Sequence, residues 1–138
     1  MSLFDFAKIC LFSEVNGVVV KDGSPIAGAE VIQTVSYGGG KKVRNTTTTN
    51  SWGEFHFDTL FTHSISTLLP GESAYSQGLV IKHDGADIEG WTLVKRDDKE
   101  NSELGGQKIN LLCDVDGENL RQETPGNRVL LGVCRWKP

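Results

Sequence analysis

Polar and apolar residues alternate along most of this chain, in runs too short for an amphipathic helix and separated by turn-forming pairs. Gly17 to Lys21 sets Val18 and Val20 on one face and Val19 on the other, and Asp22-Gly23 then supplies residues that tolerate positive φ. Pro25, with fixed φ and no donor, suits a strand edge. Ala29 to Ser36 sends Val31, Gln33 and Val35 one way and Glu30, Ile32 and Thr34 the other. Beyond Gly38-Gly39-Gly40, the segment KKVRNTTTT ends in four threonines, whose β-branching favours extended backbone. Asn50 to Gly53 is a turn, and Glu54 to Asp58 places Phe55 and Phe57 towards a core with His56 facing outwards.

The later segments follow the same rule. Ser64 to Leu69 reads as a strand or one helical turn, stopped by Pro70-Gly71. Gln77 to His83 is a strand ending at Asp84-Gly85. Gly90 to Arg96 is another, with Trp91, Leu93 and Lys95 opposite Thr92 and Val94. Lys108 to Val115 directs Ile109, Leu111 and Cys113 to one side. Asp116-Gly117 and Pro125-Gly126 bracket a solvated connection, and Arg128 to Trp136 forms the last strand. The expected fold is all-β: a two-sheet antiparallel Greek-key sandwich of about 7–9 strands. We read residues 1–138 as one domain, with 1–14 an N-terminal strand or clasp, 15–60 a core unit and 61–138 the remaining strands.

Composition adds limits. The formal net charge of −4 speaks against a nucleic-acid partner, and the basic clusters Lys41-Lys42 with Arg44 and Lys95-Arg96 read as solvated strand edges. No run reaches the roughly 18 apolar residues of a membrane-spanning helix, so no membrane insertion is expected. The first fifteen residues, MSLFDFAKICLFSEV, have no basic n-region and are broken by Asp5 and Lys8, which makes the cytoplasm the expected location. Cys10, Cys113 and Cys134 do not form a disulfide framework by spacing. A bridge between Cys113 and Cys134 is conceivable if their strands are neighbours, and buried thiols are the expectation.

Two blocks resemble a known family. Gly17, Val19, Gly23, Pro25, Ile26, Gly28, Ala29 and Val31, followed by Thr47, Thr49, Asn50, Gly53, Phe55, Phe57 and Leu60, are similar to the transthyretin-like, carboxypeptidase-regulatory-like β-sandwiches. The resemblance covers about a third of the chain and implies an architecture more than a chemistry. The second half looks like a compact bacterial variant. Modules similar to it are fused to tip proteins of the type VI secretion system, and small toxin partners can share the sandwich. Hydrolases among such relatives need an early histidine, an arginine and a C-terminal Tyr-Arg-Gly-Ser run, whereas this chain ends Cys134-Arg135-Trp136-Lys137-Pro138. Related iron dioxygenases use two tyrosines and a tight histidine pair. Tyr37 and Tyr75 are present, but the histidine pair is not.

No catalytic constellation stands out. Of the histidines His56, His63 and His83, the first two are spaced too widely for one strand face or one helix turn, and no cysteine or carboxylate stands at a ligand offset, so no metal or cofactor is expected. No Gly-x-Ser-x-Gly elbow occurs, and the Asp114 to Glu118 run reads as a solvated turn, not a calcium loop. Trp52, at a loop tip, either folds back onto the sandwich, the commoner outcome, or stands out as a binding anchor. The expected function is a non-catalytic binding protein for a protein partner: a secretion-associated adaptor or a toxin-neutralising protein. A carbohydrate-binding module and an unrecognised enzyme are the alternatives. The expected partner-binding residues are Tyr37, Lys41, Lys42 and Arg44, then Trp52, then Asp97, Asp98 and Glu100.

Overall fold

Strands of alternating character fold so that one face of each is covered, and a computed structural model shows how the coverage is arranged for residues 8–63 and 74–137. Among these described residues there are thirteen strands and no helix. They are β1 (Lys8–Phe12), β2 (Val15–Lys21), β3 (Ser24–Pro25), β4 (Glu30–Tyr37), β5 (Lys41–Thr48), β6 (Glu54–Phe57) and β7 (Leu60–His63), followed by β8 (Tyr75–His83), β9 (Ala86–Lys95), β10 (Ile109–Asp114), β11 (Leu120–Glu123), β12 (Val129–Gly132) and β13 (Cys134–Trp136). The expected element at Ser64 to Leu69, its Pro70-Gly71 stop and residues 1–7 of the N-terminal segment lie outside the described residues.

A six-stranded sheet runs β11-β12-β9-β8-β4-β5. A second sheet runs β13-β10-β2-β3, with β6 also on β2, and β1 pairs with β7 in a two-stranded ribbon. The larger sheets close on one core. Val31, Val35, Leu79, Ile81, Trp91 and Leu93 come from one sheet, and Val19, Phe55, Phe57, Ile109 and Leu111 from the other. The inward sets read from alternation on β4, β6, β9 and β10 are buried, and on β4 Ile32 of the opposite face is buried as well. Asp22-Gly23 and Asp84-Gly85 turn with positive φ at both residues, as their types allow. β1 is buried along four successive residues, Ile9 to Phe12, because both of its faces are covered.

The all-β expectation holds, with corrections. The described residues form thirteen strands in three sheets, not about eight in two, because short pairings such as β3 and β7 carry too few residues to show a period. Not every pairing is antiparallel: β10 lies parallel to β2, from Ile109↔Val15 to Asp114↔Val20. The expected solvated connection before Arg128 contains β11, which pairs antiparallel with β12. The expected last strand is two strands in different sheets. Gly132, at φ 133, carries the chain from one to the other. A Cβ there would lie 2.1 Å from the Gly90 carbonyl oxygen, so only glycine permits this crossing beside β9.

That crossing delivers Cys134 opposite Cys113 in the β10–β13 register, and the two form a disulfide. The expectation of buried free thiols is therefore overturned for these two and holds for Cys10. Linear spacing could not show that the chain changes sheets between them.

The two family-like blocks are interleaved in space. The Thr49 hydroxyl donates to the Ile26 carbonyl and accepts the Ala29 N–H, while the Val19 N–H donates to the Gly53 carbonyl. Gly17 opposes Phe55, and a Cβ on Gly17 would lie 2.3 Å from that ring. The glycine thus makes room for the aromatic residue 38 positions later.

Two outcomes follow. Unreduced protein, unfolded in denaturant, should titrate with one thiol (Cys10), and reduction should expose all three while lowering stability by about 3 kcal/mol, given a sequence separation of 21 between the bridged residues. Gly17→Ala should cost about 1–3 kcal/mol in a urea melt, because the Phe55 ring must leave its place.

Candidate functional site

The expected binding residues fall into two groups at opposite ends of β5. Tyr37 and Lys41 flank the triple-glycine turn between β4 and β5, facing each other in register, and the Lys41 ammonium lies 6.0 Å from the Tyr37 ring. Lys42 and Arg44 follow on β5, an edge strand, where both are exposed. Tyr37 packs edge-on against Tyr75, whose hydroxyl donates to Asp98, so the acidic segment borders this end. Trp52 lies beyond Thr48, the other end of β5, about 23 Å away along a strand of this length.

The acidic segment is less free than its composition suggests. Lys95, read as part of a solvated edge, is fully buried, and its ammonium donates to the carbonyl and carboxylate of Asp97 and to the Lys99 carbonyl. This corrects the solvated reading of Lys95, although Arg96 is exposed. The inward period of β9 carries Lys95 into the interior, where a charge needs partners. Asp97 also accepts from Ser102 and pairs with Arg128 at 2.9 Å. Glu103 is buried and accepts from the Ser13 N–H, the Ser13 hydroxyl and the Gln77 amide. Glu100 is exposed and accepts from Thr59. Of the three acidic residues expected to meet a partner, Asp97 and Asp98 are thus engaged internally, and Glu100 is at the surface.

Trp52 is 71% exposed. It does not fold back, because its turn is held from the other side. The Asn50 carboxamide oxygen accepts the N–H groups of Trp52 and Glu54, and the Gly53 N–H closes on the Asn50 carbonyl. An Asx-type turn leaves the intervening side chain pointing outwards while its backbone is fixed. Trp91, by contrast, is wholly buried, stacked on Phe12 with its Nε1–H donating to Gln77.

Beside this turn, the outer face of the second sheet and the end of β5 border a groove of about 640 Å³, lined by polar groups including Asn16, Thr48, Asn50, Glu54, His56 and Lys137. His56 faces outwards because Phe55 and Phe57 take the inward positions of β6. Its Nδ1 is 2.8 Å from the Asn16 carboxamide oxygen, and its Nε2 is 2.8 Å from Asp58 and 3.8 Å from Glu14. This brings carboxylates to a histidine where linear offsets suggested none. Asp58 was two residues away and open to notice. Glu14 arrives only because β2 pairs with β6. His83 meets Asp84 at 3.2 Å, apart from this group. His63 ends β7.

The one reactive thiol type left, Cys10, is unsuited to nucleophilic work. Burial pushes its thiol up from the ordinary value, against the weaker opposing effect of the Ser13 hydroxyl. No helix among the described residues is long and apolar enough to cross a membrane.

Burial alone would push the Asp97 carboxyl up, but the Ser102 hydroxyl, the Lys99 N–H and the Lys95 ammonium together outweigh it and hold the group at about 2. A carboxyl depressed in the folded state stabilises the fold above its unfolded value and loses that contribution as the pH falls. Stability should therefore drop between about pH 4 and pH 2 by about 1–2 kcal/mol from this group, after allowing for its partial solvent screening. Urea midpoints for Asp97→Asn should be lower at neutral pH and flatter across that window.

No curated protein matches this chain. One family does: Domain of unknown function (DUF6795), over residues 15–118, a span that starts at β2, ends just past β10 and includes the interleaved blocks, the groove lining other than Lys137 and the buried acidic segment. The chain belongs to that family.

Proposed function

We propose that this chain is a non-catalytic binding protein, built on a transthyretin-like Greek-key frame, which recognises a protein partner through the turn bearing Trp52. The observation that carries this reading is a large aromatic ring held 71% exposed on a backbone fixed by Asn50. An ordered aromatic residue loses little conformational entropy on binding, and tryptophan is enriched among the residues that dominate interfaces. The exposed Lys41, Lys42 and Arg44 of β5 extend the surface with positive charge, which would steer an acidic partner. A secretion-associated adaptor or a toxin-neutralising protein is the specific form of this reading, and it rests on the resemblance of the two motif blocks.

The Cys113–Cys134 bridge supports an oxidising working compartment in place of the cytoplasmic expectation. A second reading, a carbohydrate-binding module, draws on the amide, hydroxyl and carboxylate lining of the groove next to Trp52. Against it, Trp91 is buried, so the three tryptophans do not form a shared exposed platform.

Affinity capture with the full chain, followed by titration of the purified partner, tests the proposal. Trp52→Ala should leave the melting temperature unchanged and weaken partner binding at least about tenfold. A partner bound equally well by this variant and by one carrying Lys41→Glu, Lys42→Glu and Arg44→Glu would remove the proposed surface. Binding to glycan arrays that is lost in Trp52→Ala, without any protein partner, would replace the first reading with the second.

A further inference from the structure

We infer that Glu14, His56 and Asp58 form a binding site for a divalent transition-metal cation of the Zn²⁺ class at the rim of the groove. Three donor atoms, the His56 Nε2 and one oxygen from each carboxylate, lie within 4.8 Å of one another. At metal–donor distances of about 2.1 Å, adjacent donors around one ion stand about 3.0–3.4 Å apart. The observed separations from Nε2 of 2.8 Å to Asp58 and 3.8 Å to Glu14 bracket that range, so small side-chain rotations seat the ion.

Two features besides proximity support the assignment. First, the imidazole is already oriented. Asn16 is the cross-strand partner of His56, and its carboxamide oxygen lies 2.8 Å from Nδ1. With Nδ1–H donated to that oxygen, the Nε2 lone pair is the one left for a metal, the arrangement in which a ligating histidine is held through its other nitrogen. Second, among the described residues no lysine or arginine offsets the two carboxylates, Glu14 and Asp58, and each has His56 as its ion-pair partner. Two carboxylates converging on an imidazole, with no fixed cation beside them, offer the acceptor set that a divalent ion takes.

The donor types select the ion. An imidazole nitrogen with two carboxylates favours Zn²⁺ and its neighbours over Mg²⁺ or Ca²⁺, which prefer all-oxygen shells. Three protein donors leave at least one position for water or for a group brought by a bound molecule. The side chains lie on the surface, with Asp58 93% exposed, so that position opens to solvent.

The test is calorimetric titration of the metal-free, untagged 138-residue chain with ZnCl₂ in a non-chelating buffer. Saturable binding of one ion per chain is expected. Asp58→Asn and His56→Gln should each weaken it at least about tenfold, Asn16→Ala should weaken it about tenfold through the ring orientation, and His83→Ala should leave it unchanged. Asp58→Asn alters an exposed side chain, so its loss of binding, with an unchanged melting temperature, separates ligation from misfolding. The inference is overturned if no saturable binding occurs below about 1 mM. It is equally overturned if the affinity survives in both Asp58→Asn and His56→Gln, or if CaCl₂ binds more tightly than ZnCl₂.

Discussion

A buried carboxyl group demands partners on every side, and in this fold the Glu103 carboxyl obtains them from two distant parts of the chain. Ser13 approaches from the end of β1 with both its N–H and its hydroxyl, and Gln77 approaches from β8. Gln77 in turn accepts the Trp91 Nε1–H and donates to the Leu11 carbonyl. The Glu103 backbone carbonyl accepts from the Thr124 hydroxyl. Removing any one donor strands polar groups in a dry interior, at a cost of about 1–3 kcal/mol each. The network therefore ties the N-terminal strand, the six-stranded sheet and the loop before β12 into a single arrangement. Lys95 and Asp97 extend the same logic a few residues earlier and fix the start of the segment that Glu103 ends.

With that end fixed, the opposite end is shaped by close backbone approach. Gly53 sits against Val19, Thr49 bonds the chain at Ile26 and Ala29, and the Phe55 ring lies over Gly17. These contacts involve the residues of the two family-like blocks. Their spacing in sequence is set by the lengths of β4 and β5, the hairpin that must go out and return before Thr49 can reach Ala29. The fold signature is thus a record of packing. The surfaces that can bind are what it leaves exposed: the ring of Trp52, the outward face of β6 and the free edge of β5.

Legibility followed the same division. Phe55 and Phe57, Ile109 and Leu111, and Trp91 and Leu93 were readable because alternation over several residues has one cause, a covered face. Lys95 shared that period and was misread because its charge suggested solvent, when the interior supplied carbonyls and a carboxylate instead. β11 escaped notice and β13 was merged with β12 into one strand, because four and three residues cannot display a period, and the Cys113–Cys134 bridge depended on the break before β13. Parallel β2–β10 pairing joins residues more than ninety positions apart, and no local pattern encodes it. The site was legible only in part. Trp52 was identified as a candidate, but its exposure was decided by hydrogen bonds to Asn50, and Glu14 met His56 through strand pairing alone.

The separation along β5 also constrains how a partner can engage. A standard interface covers about 800 Å² on each side, a patch roughly 30 Å across. The distance of about 23 Å between the two ends of β5 is within that span, so an interface laid along the strand edge would include both Trp52 and the Lys41 region. An interface centred on either tip would include one of them. β5 is an edge strand of its sheet, and its Lys41, Lys42 and Arg44 are the kind of charged side chains that discourage indiscriminate edge pairing. A partner using the edge must offer complementary negative charge, whereas a partner using Trp52 alone needs only an apolar pocket. Charge reversal on β5 and truncation of Trp52 therefore report on different geometries. If both weaken binding, the partner lies along the strand.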